Sequence, residues 1–182
     1  MGKFNLVAFD LDGVLTESKC EIDSEIAGLL TKLLDHYYVA VISGGDIGQF
    51  ISQFTSKIIV GYQYGYDKLY LFPTNGSKMY RFNKLNLELV YCDKLDENVK
   101  RDISVALVEA SFDFDINWCG FYGSIIEDRG SQVTFSALGQ EAPLNLKIQW
   151  DTNGTKRSII VSRLRYLLRG QDLNMSIGGT TS

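Results

Sequence analysis

The sequence predicts an α/β fold in which a parallel sheet with helical crossovers is followed by a smaller α+β part. Three short, nearly continuous apolar runs are typical of buried parallel strands. The segments between them repeat apolar residues at the three-to-four-residue spacing of an amphipathic helix. Strand, helix, strand, helix, strand in this order implies right-handed crossovers. The predicted strands are residues 4–9, 38–42 and 69–72.

The two helices between these strands are predicted from capping residues and from apolar periodicity. Asp23 or Ser24 is expected to cap the first helix, and Asp46 opens the second. Each helix should turn one apolar face towards the sheet. That face comprises Ile26, Leu29, Leu30, Leu33 and Leu34 in the first helix, and Ile47, Phe50, Ile51 and Phe54 in the second.

The pattern changes after Asn75-Gly76, where hairpins replace the strand–helix alternation. We therefore expect two domains, an α/β domain over residues 1–93 and an α+β domain over residues 94–182. The predicted later elements are the hairpins 78–82 with 87–92 and 123–128 with 132–138, a helix capped by Asp96, a helix over 158–169 and a strand over 173–177.

Composition and charge describe an ordinary globular protein and argue against several functional classes. Of the 182 residues, 45% are hydrophobic and 22% are charged. The net charge of -4 argues against nucleic acid as a partner, because proteins that bind the phosphate backbone usually carry a basic excess. The three cysteines show no metal-site or disulfide spacing, and no apolar run reaches signal-peptide or membrane-span length. We expect a cytoplasmic protein with no membrane partner.

Two carboxylates, Asp10 and Asp12, stand directly after the first predicted strand. Ligands of open parallel sheets bind beyond the carboxyl ends of the strands, and residues two apart on an extended backbone face the same side. One of the two carboxylates can therefore attack a phosphorus atom while the other handles the proton of the leaving or entering oxygen. A cation would relieve the repulsion of the phosphate, and hard oxygen ligands at Asp10 and Asp12 favour Mg²⁺. Gly13 allows a sharp turn that brings backbone N–H groups near the phosphate.

The same run has two simpler interpretations, a plain turn and a calcium loop of the Asp-x-Asp-x-Asp-Gly kind. A calcium loop is disfavoured because Val14 stands where a third acidic residue is needed and because the run follows a buried strand. The catalytic interpretation is therefore the leading one.

A second motif, Ser43-Gly44-Gly45, follows the second predicted strand. A serine hydroxyl there can donate to a phosphate oxygen, glycines allow close approach, and the next helix begins with unpaired N–H groups. Alone, the motif fits an ordinary turn equally well. Its place one helical crossover after the Asp10–Asp12 pair favours a phosphate site shared by both motifs.

These stretches resemble the haloacid dehalogenase superfamily, in the branch with a type IIB cap, and within it the eukaryotic-type phosphomannomutases. The resemblance implies a Rossmann-like core with an inserted α+β cap that mediates a homodimer. It implies that Asp10 forms a phosphoaspartate, that Asp12 protonates the leaving group and that Asp10 and the Asp12 carbonyl hold Mg²⁺. Ser43 and Gly44 would hold the transferring phosphate, and Lys19 and Arg129 would meet the sugar phosphate. The supporting runs are FDLDGVLTESKCEID, VAVISGGD, LYLFPTNGSKMYRF, SIIEDRGSQVTFSALGQ and MSIGG.

The sequence departs from that family's pattern at three places. Val14 replaces a threonine, and Gln140 stands where the family has a second cap arginine, which removes one charge from the anion-binding side. After MSIGG the sequence ends at Ser182, before the lysine and the Gly-Asp…Asp stretch with which the family completes its magnesium site. We expect either a fragment or a natural short form with a weakened site.

The expected function is phosphomannomutase-like transfer of a phosphoryl group between O1 and O6 of a hexose phosphate, mannose 1-phosphate or 6-phosphate. Two alternatives stay open at this point. The first is a sugar phosphatase on the same scaffold, in which water takes the phosphoryl group from Asp10. The second is a catalytically impaired short form that acts as a binding protein.

Overall fold

A computed structural model describes residues 5–17, 20–61, 66–114, 116, 118 and 122–178 of the chain. The chain divides into two compact units, Met1–Lys94 and Leu95–Ser182. Each unit contains a hydrophobic cluster of its own.

The first unit contains a five-stranded mixed sheet in the order β1-β2-β3-β4-β5. β1, β2 and β3 are parallel, as predicted, and Asp10 at the end of β1 pairs in register with Ile42 at the end of β2. The predicted hairpin of β4 and β5 extends the sheet with antiparallel strands. The strands are β1 (Leu6–Asp10), β2 (Tyr38–Ile42), β3 (Leu69–Phe72), β4 (Lys78–Asn83) and β5 (Asn86–Cys92).

The helices of the first unit begin where capping chemistry predicts. Helix α1 (Ser24–Leu34) is capped by Asp23, whose Oδ1 accepts from the Ile26 backbone N–H at 2.7 Å. Helix α2 (Ile47–Phe50) continues through a π-helical segment (Ile51–Thr55) into α3 (Ser56–Gly61). α1 packs against α3.

Two side chains predicted to face the core are exposed. Leu29 of α1 is 55% exposed and Ile51 is 47% exposed. Ile51 is displaced because the wide π-helical turns keep residues four apart, Phe50 and Phe54, on the buried face. Leu29 lies one position from the buried Leu30 and therefore about a quarter-turn off the packed face.

The second unit is α+β, as predicted. Its helices are α4 (Glu97–Ala110), capped by Asp96, then α5 (Leu144–Trp150) and α6 (Thr155–Leu167), and its hairpin consists of β6 (Ile126–Asp128) and β7 (Val133–Phe135). The hairpin strands are shorter than predicted, and α5 was not predicted.

The predicted strand at residues 173–177 is wrong, because these residues have no regular secondary structure. Leu173 and Met175 instead pack against the hydrophobic cluster of the second unit. Among the described residues, no helix combines the length and the apolarity that a membrane crossing requires.

Candidate active site

The two predicted motifs meet at the carboxyl edge of the parallel strands. β1 ends at Asp10, and the backbone N–H of Leu11 extends the pairing by donating to the Ile42 carbonyl of β2 at 3.0 Å. The residue after Ile42 is Ser43. The aspartate motif and the serine motif are therefore neighbours across two adjacent strands, where open parallel sheets bind ligands.

The Asp10–Asp12 run alternates between solvent and core. Asp10 is exposed, Leu11 is completely buried in the core and Asp12 is half-buried. The carboxylate of Asp10 accepts no hydrogen bond from the residues that the structure describes. Asp10 is thus an open nucleophile candidate, whereas Asp12 is held by its neighbours.

Ser43 contacts Asp12 directly. The Ser43 hydroxyl donates to Oδ2 of Asp12 at 2.9 Å and accepts from the Gly45 backbone N–H at 3.1 Å. Ser43 is only 3% exposed, so its orientation is set by these bonds. The structure thus brings together the two side chains to which the sequence assigns the proton and the phosphate.

A second side-chain donor at Asp12 was not predicted. Gln49, in the first turn of α2, donates from Nε2 to Asp12 Oδ2 at 3.4 Å. Asp46, which opens α2, uses its carboxylate as a helix cap and accepts from the Gln49 backbone N–H at 2.8 Å. Asp46 is therefore engaged in capping, and Gln49 is the residue of this turn that reaches the aspartate motif.

Glycine has a different physical role at Gly13 of the first motif and at Gly44 of the second. Gly13 has φ of 84°, a conformation that strains any other residue, and its N–H donates to the Thr16 carbonyl at 2.7 Å. That N–H is used by the turn, so a phosphate would meet other donors. A Cβ at Gly44 would lie 3.5 Å from Oδ1 of Asn75. Gly44 therefore lies beside the loop that follows β3.

That loop includes Asn75, at which the sequence predicted only a change from strand–helix alternation to hairpins. Thr74 and Asn75 have φ of 51° and 54°, which is uncommon for residues other than glycine. The Thr74 N–H donates to the Gly45 carbonyl at 2.8 Å, and the Asn75 N–H donates to the Ser43 carbonyl at 3.0 Å. The strained loop thus connects the serine motif to the end of β3 through these two backbone hydrogen bonds.

The described donor set includes no group of three or more His, Cys, Asp or Glu side chains that could hold a metal. A hard cation such as Mg²⁺ needs only one or two protein carboxylates, because water and substrate phosphate complete its shell. Asp10, exposed and without a hydrogen-bond donor among the described residues, fits this partial role.

Of the two predicted sugar-phosphate residues, Lys19 lies outside the described residues. Arg129 lies in the second unit, after β6, and its guanidinium contacts Glu127 Oε2 at 2.7 Å. Only 13% of the Arg129 side chain is exposed. Lys147 of α5 is a buried cation that was not predicted, and its Nζ donates to the Gln140 carbonyl at 2.9 Å.

The fold and the paired motifs define a haloacid-dehalogenase-type α/β protein. A haloacid dehalogenase-like hydrolase from B. subtilis has a similar structure, with a TM-score of 0.53 and 19% identity over 90% of this chain and 51% of that chain. The IMP-nucleotidase of Plasmodium falciparum is also similar, with a TM-score of 0.63 and 14% identity over 91% of this chain and 42% of that chain. At these identities the likeness concerns the fold alone.

The sequence narrows the class to one family. The family model of eukaryotic phosphomannomutase matches residues 26–182, and the chain belongs to this family. It is 26% identical over 190 aligned residues to phosphomannomutase 1 of Homo sapiens, an alignment that covers 97% of this chain. The chain spans 66% of the length of that relative.

Proposed function

We propose that the chain transfers phosphoryl groups between positions of a hexose phosphate, with mannose 1-phosphate and mannose 6-phosphate as the substrate pair. The proposal is supported by family membership and by one structural observation above all. That observation is the Asp10 carboxylate, which accepts no hydrogen bond among the described residues and stands two residues before Asp12, whose own carboxylate is held by Ser43.

In the proposed reaction, a carboxylate oxygen of Asp10 forms a bond to phosphorus, and the bond from phosphorus to the sugar oxygen breaks. Asp12 gives its proton to the departing sugar oxygen. In the second half, Asp12 takes a proton from another hydroxyl of the sugar while that oxygen accepts the phosphoryl group from Asp10. The exposure of Asp10 suits the nucleophile, and the hydrogen bond from Ser43 suits a carboxylate that must stay in place.

Ser43, Gly44 and Gly13 form the proposed phosphate side. The Ser43 hydroxyl has one proton, and in the structure this proton makes the hydrogen bond to Asp12. To donate to a phosphate oxygen, this hydroxyl must rotate away from Asp12. Gly44 has no side chain to keep a phosphate away, whereas Gly13 shapes the turn.

Lys19 and Arg129 are proposed as the residues that meet the sugar phosphate. Arginine binds phosphate through two parallel hydrogen bonds, which suits this role. Arg129 must share its guanidinium between Glu127 and the phosphate, because the 2.7 Å ion pair already uses one terminal nitrogen. A phosphate, with its larger charge, is a competitive acceptor for that group.

Mg²⁺ is the proposed cofactor, held by the Asp10 carboxylate and the Asp12 backbone carbonyl. When bound, it neutralises negative charge on the phosphate and lowers the repulsion that Asp10 meets. The donors are all oxygen atoms, the ligand type that Mg²⁺ prefers.

The two units fit the roles of core and cap. We propose residues 1–93 as part of the catalytic core and residues 94–182 as a cap that contributes Arg129 and mediates a homodimer. The cytoplasm is the proposed compartment, since the cysteines Cys20 and Cys92 are both free.

The test follows mannose 1-phosphate with Mg²⁺ by ³¹P NMR. Appearance of mannose 6-phosphate without free phosphate supports the mutase, whereas free phosphate means a hydrolase that lets water attack Asp10. Asp10→Asn should abolish turnover. The matched control is Asp67→Asn, an exposed carboxylate just before β3 and therefore at the opposite edge of the sheet, which should retain activity. No turnover in the wild type together with retained sugar-phosphate binding in Asp10→Asn would overturn the enzymatic proposal in favour of a binding protein.

A further inference from the structure

We propose that Gln49 positions the Asp12 carboxylate together with its other partners, and that Gly45 is glycine to make room for the Gln49 amide. The inference deepens the proposed function and rests on it for its kinetic consequence. It starts from the two side-chain donors at a single oxygen, Asp12 Oδ2: Ser43 Oγ at 2.9 Å and Gln49 Nε2 at 3.4 Å.

Ser43 cannot serve Asp12 and a phosphate at the same time. Its hydroxyl carries one proton, and its oxygen already accepts from the Gly45 N–H at 3.1 Å. Once the hydroxyl turns to a phosphate oxygen, Asp12 loses this donor. Gln49 still donates to Asp12 Oδ2 at that stage, and its neutral amide adds no charge to the site.

Two features of the local fold place the Gln49 amide at Asp12. The Asp46 carboxylate caps α2 and binds the Gln49 backbone N–H, which fixes where the side chain begins. The amide then lies against Gly45, where an added Cβ would come 2.2 Å from Gln49 Oε1 and 2.5 Å from Gln49 Cδ. Gly45 has no positive φ, so its backbone conformation does not require glycine, and what an added Cβ would disturb is the position of the Gln49 amide.

This geometry predicts a coupled pair of substitutions. Gln49→Met keeps the length and packing of the side chain but removes the donor, and kcat should fall about tenfold with KM unchanged. Gly45→Ala should give a similar fall by displacing the amide. The double variant should be no slower than either single variant, because the second change removes a contact that is already lost.

The control is Gly28→Ala in α1, where an added Cβ would meet nothing within 4 Å. It should leave kcat unchanged. A merely structural role of Gln49 would lower the amount of folded protein or raise KM, but it would not lower kcat alone. If Gln49→Met retains wild-type kcat, or if the effects of Gly45→Ala and Gln49→Met multiply in the double variant, the inference is overturned while the proposed function stands.

A second measurement does not depend on turnover. The side-chain amide signals of Gln49 are assigned in a ¹H–¹⁵N NMR spectrum by their loss in Gln49→Met. They should shift in Asp12→Asn and in Gly45→Ala, and stay in place in Gly28→Ala. If the wild type transfers no phosphate but these shifts occur, the proposed function fails and the placement of Gln49 at Asp12 stands. If the Gln49 amide signals do not shift in Asp12→Asn, the inference is overturned, whether or not the wild type transfers phosphate.

Discussion

The buried carboxylate of Asp151 joins the start of α6 to the turn before it. It accepts from the backbone N–H groups of Lys156 and Arg157, at 2.9 and 3.1 Å, and from Arg157 Nε at 2.9 Å. The Asp151 side chain is 1% exposed and that of Arg157 is 13% exposed. Asp151→Ala removes the acceptor for all three bonds and the charge that neutralises Arg157. Because breaking a buried ion pair from one side costs about 3–5 kcal/mol, we expect a loss of that size in the free energy of unfolding.

The pH dependence follows from the pKa of the same carboxyl. Burial alone would raise the pKa of Asp151, but the hydrogen bonds from the Arg157 side chain and from the two backbone N–H groups outweigh it and lower the pKa. A lowered folded-state pKa adds stability above the unfolded-state pKa, about 4, and loses it as the pH falls through the folded value. The advantage of the wild type over Asp151→Asn should therefore be full at pH 7 and shrink below about pH 4.

Urea unfolding followed by tryptophan fluorescence measures this effect, since both tryptophans, Trp118 and Trp150, belong to the second unit. The matched control is Asp113→Ala, which breaks an ion pair with Arg163 whose side chains are 64% and 38% exposed. It should cost less than about 1 kcal/mol. Equal losses in Asp151→Ala and Asp113→Ala, or a gap between wild type and Asp151→Asn that persists well below pH 4, would refute the reasoning.

Three further predictions concern the first unit. Gly13→Ala should lower the free energy of unfolding in urea by about 1–2 kcal/mol, because its φ of 84° strains alanine. An added Cβ meets no atom within 4 Å, so the cost comes from the backbone conformation alone, and an unchanged midpoint contradicts this. Gln53 is 3% exposed and neither amide atom has a hydrogen-bond partner among the described residues, so Gln53→Met should raise the free energy of unfolding by about 1–2 kcal/mol. A loss of stability in the same titration would mean that its amide is satisfied. Ser43→Ala removes the acceptor of the Gly45 N–H and a donor to Asp12, and should lower kcat about tenfold to a hundredfold; steady-state kinetics that match the wild type would exclude its proposed role.

The strands were predictable because their apolar runs are short, continuous and bounded by polar residues or glycine. The parallel strands β2 and β3 match the predicted residues 38–42 and 69–72 in full. Periodicity does not report a change of helix type, and this is why Ile51 was assigned to the core although it begins a π-helical segment. Nor does the alternation of apolar and polar residues at 173–177 supply a partner strand, so Leu173 and Met175 pack as part of an irregular chain.

The candidate site was predictable where reactive residue types stand at strand ends. Asp10, Asp12 and Ser43 were predicted in this way, and the structure brings Ser43 to Asp12. Gln49 was missed because its contact depends on side-chain reach from a helical turn and on the missing Cβ of Gly45. Asn75 was treated as a boundary, because its positive φ and its bond to the Ser43 carbonyl exist only in the folded loop.

The most direct test of the account is chemical identification of the phosphorylated residue. The chain is incubated with mannose 1-phosphate and Mg²⁺, quenched, treated with hydroxylamine and mapped by peptide mass spectrometry. A phosphoaspartate reacts with hydroxylamine to give a hydroxamate, so we expect this modification at Asp10. It should be absent in Asp10→Asn and present in Asp67→Asn. Phosphate carried on Ser43 or on another residue, or turnover without modification of Asp10, would contradict the account.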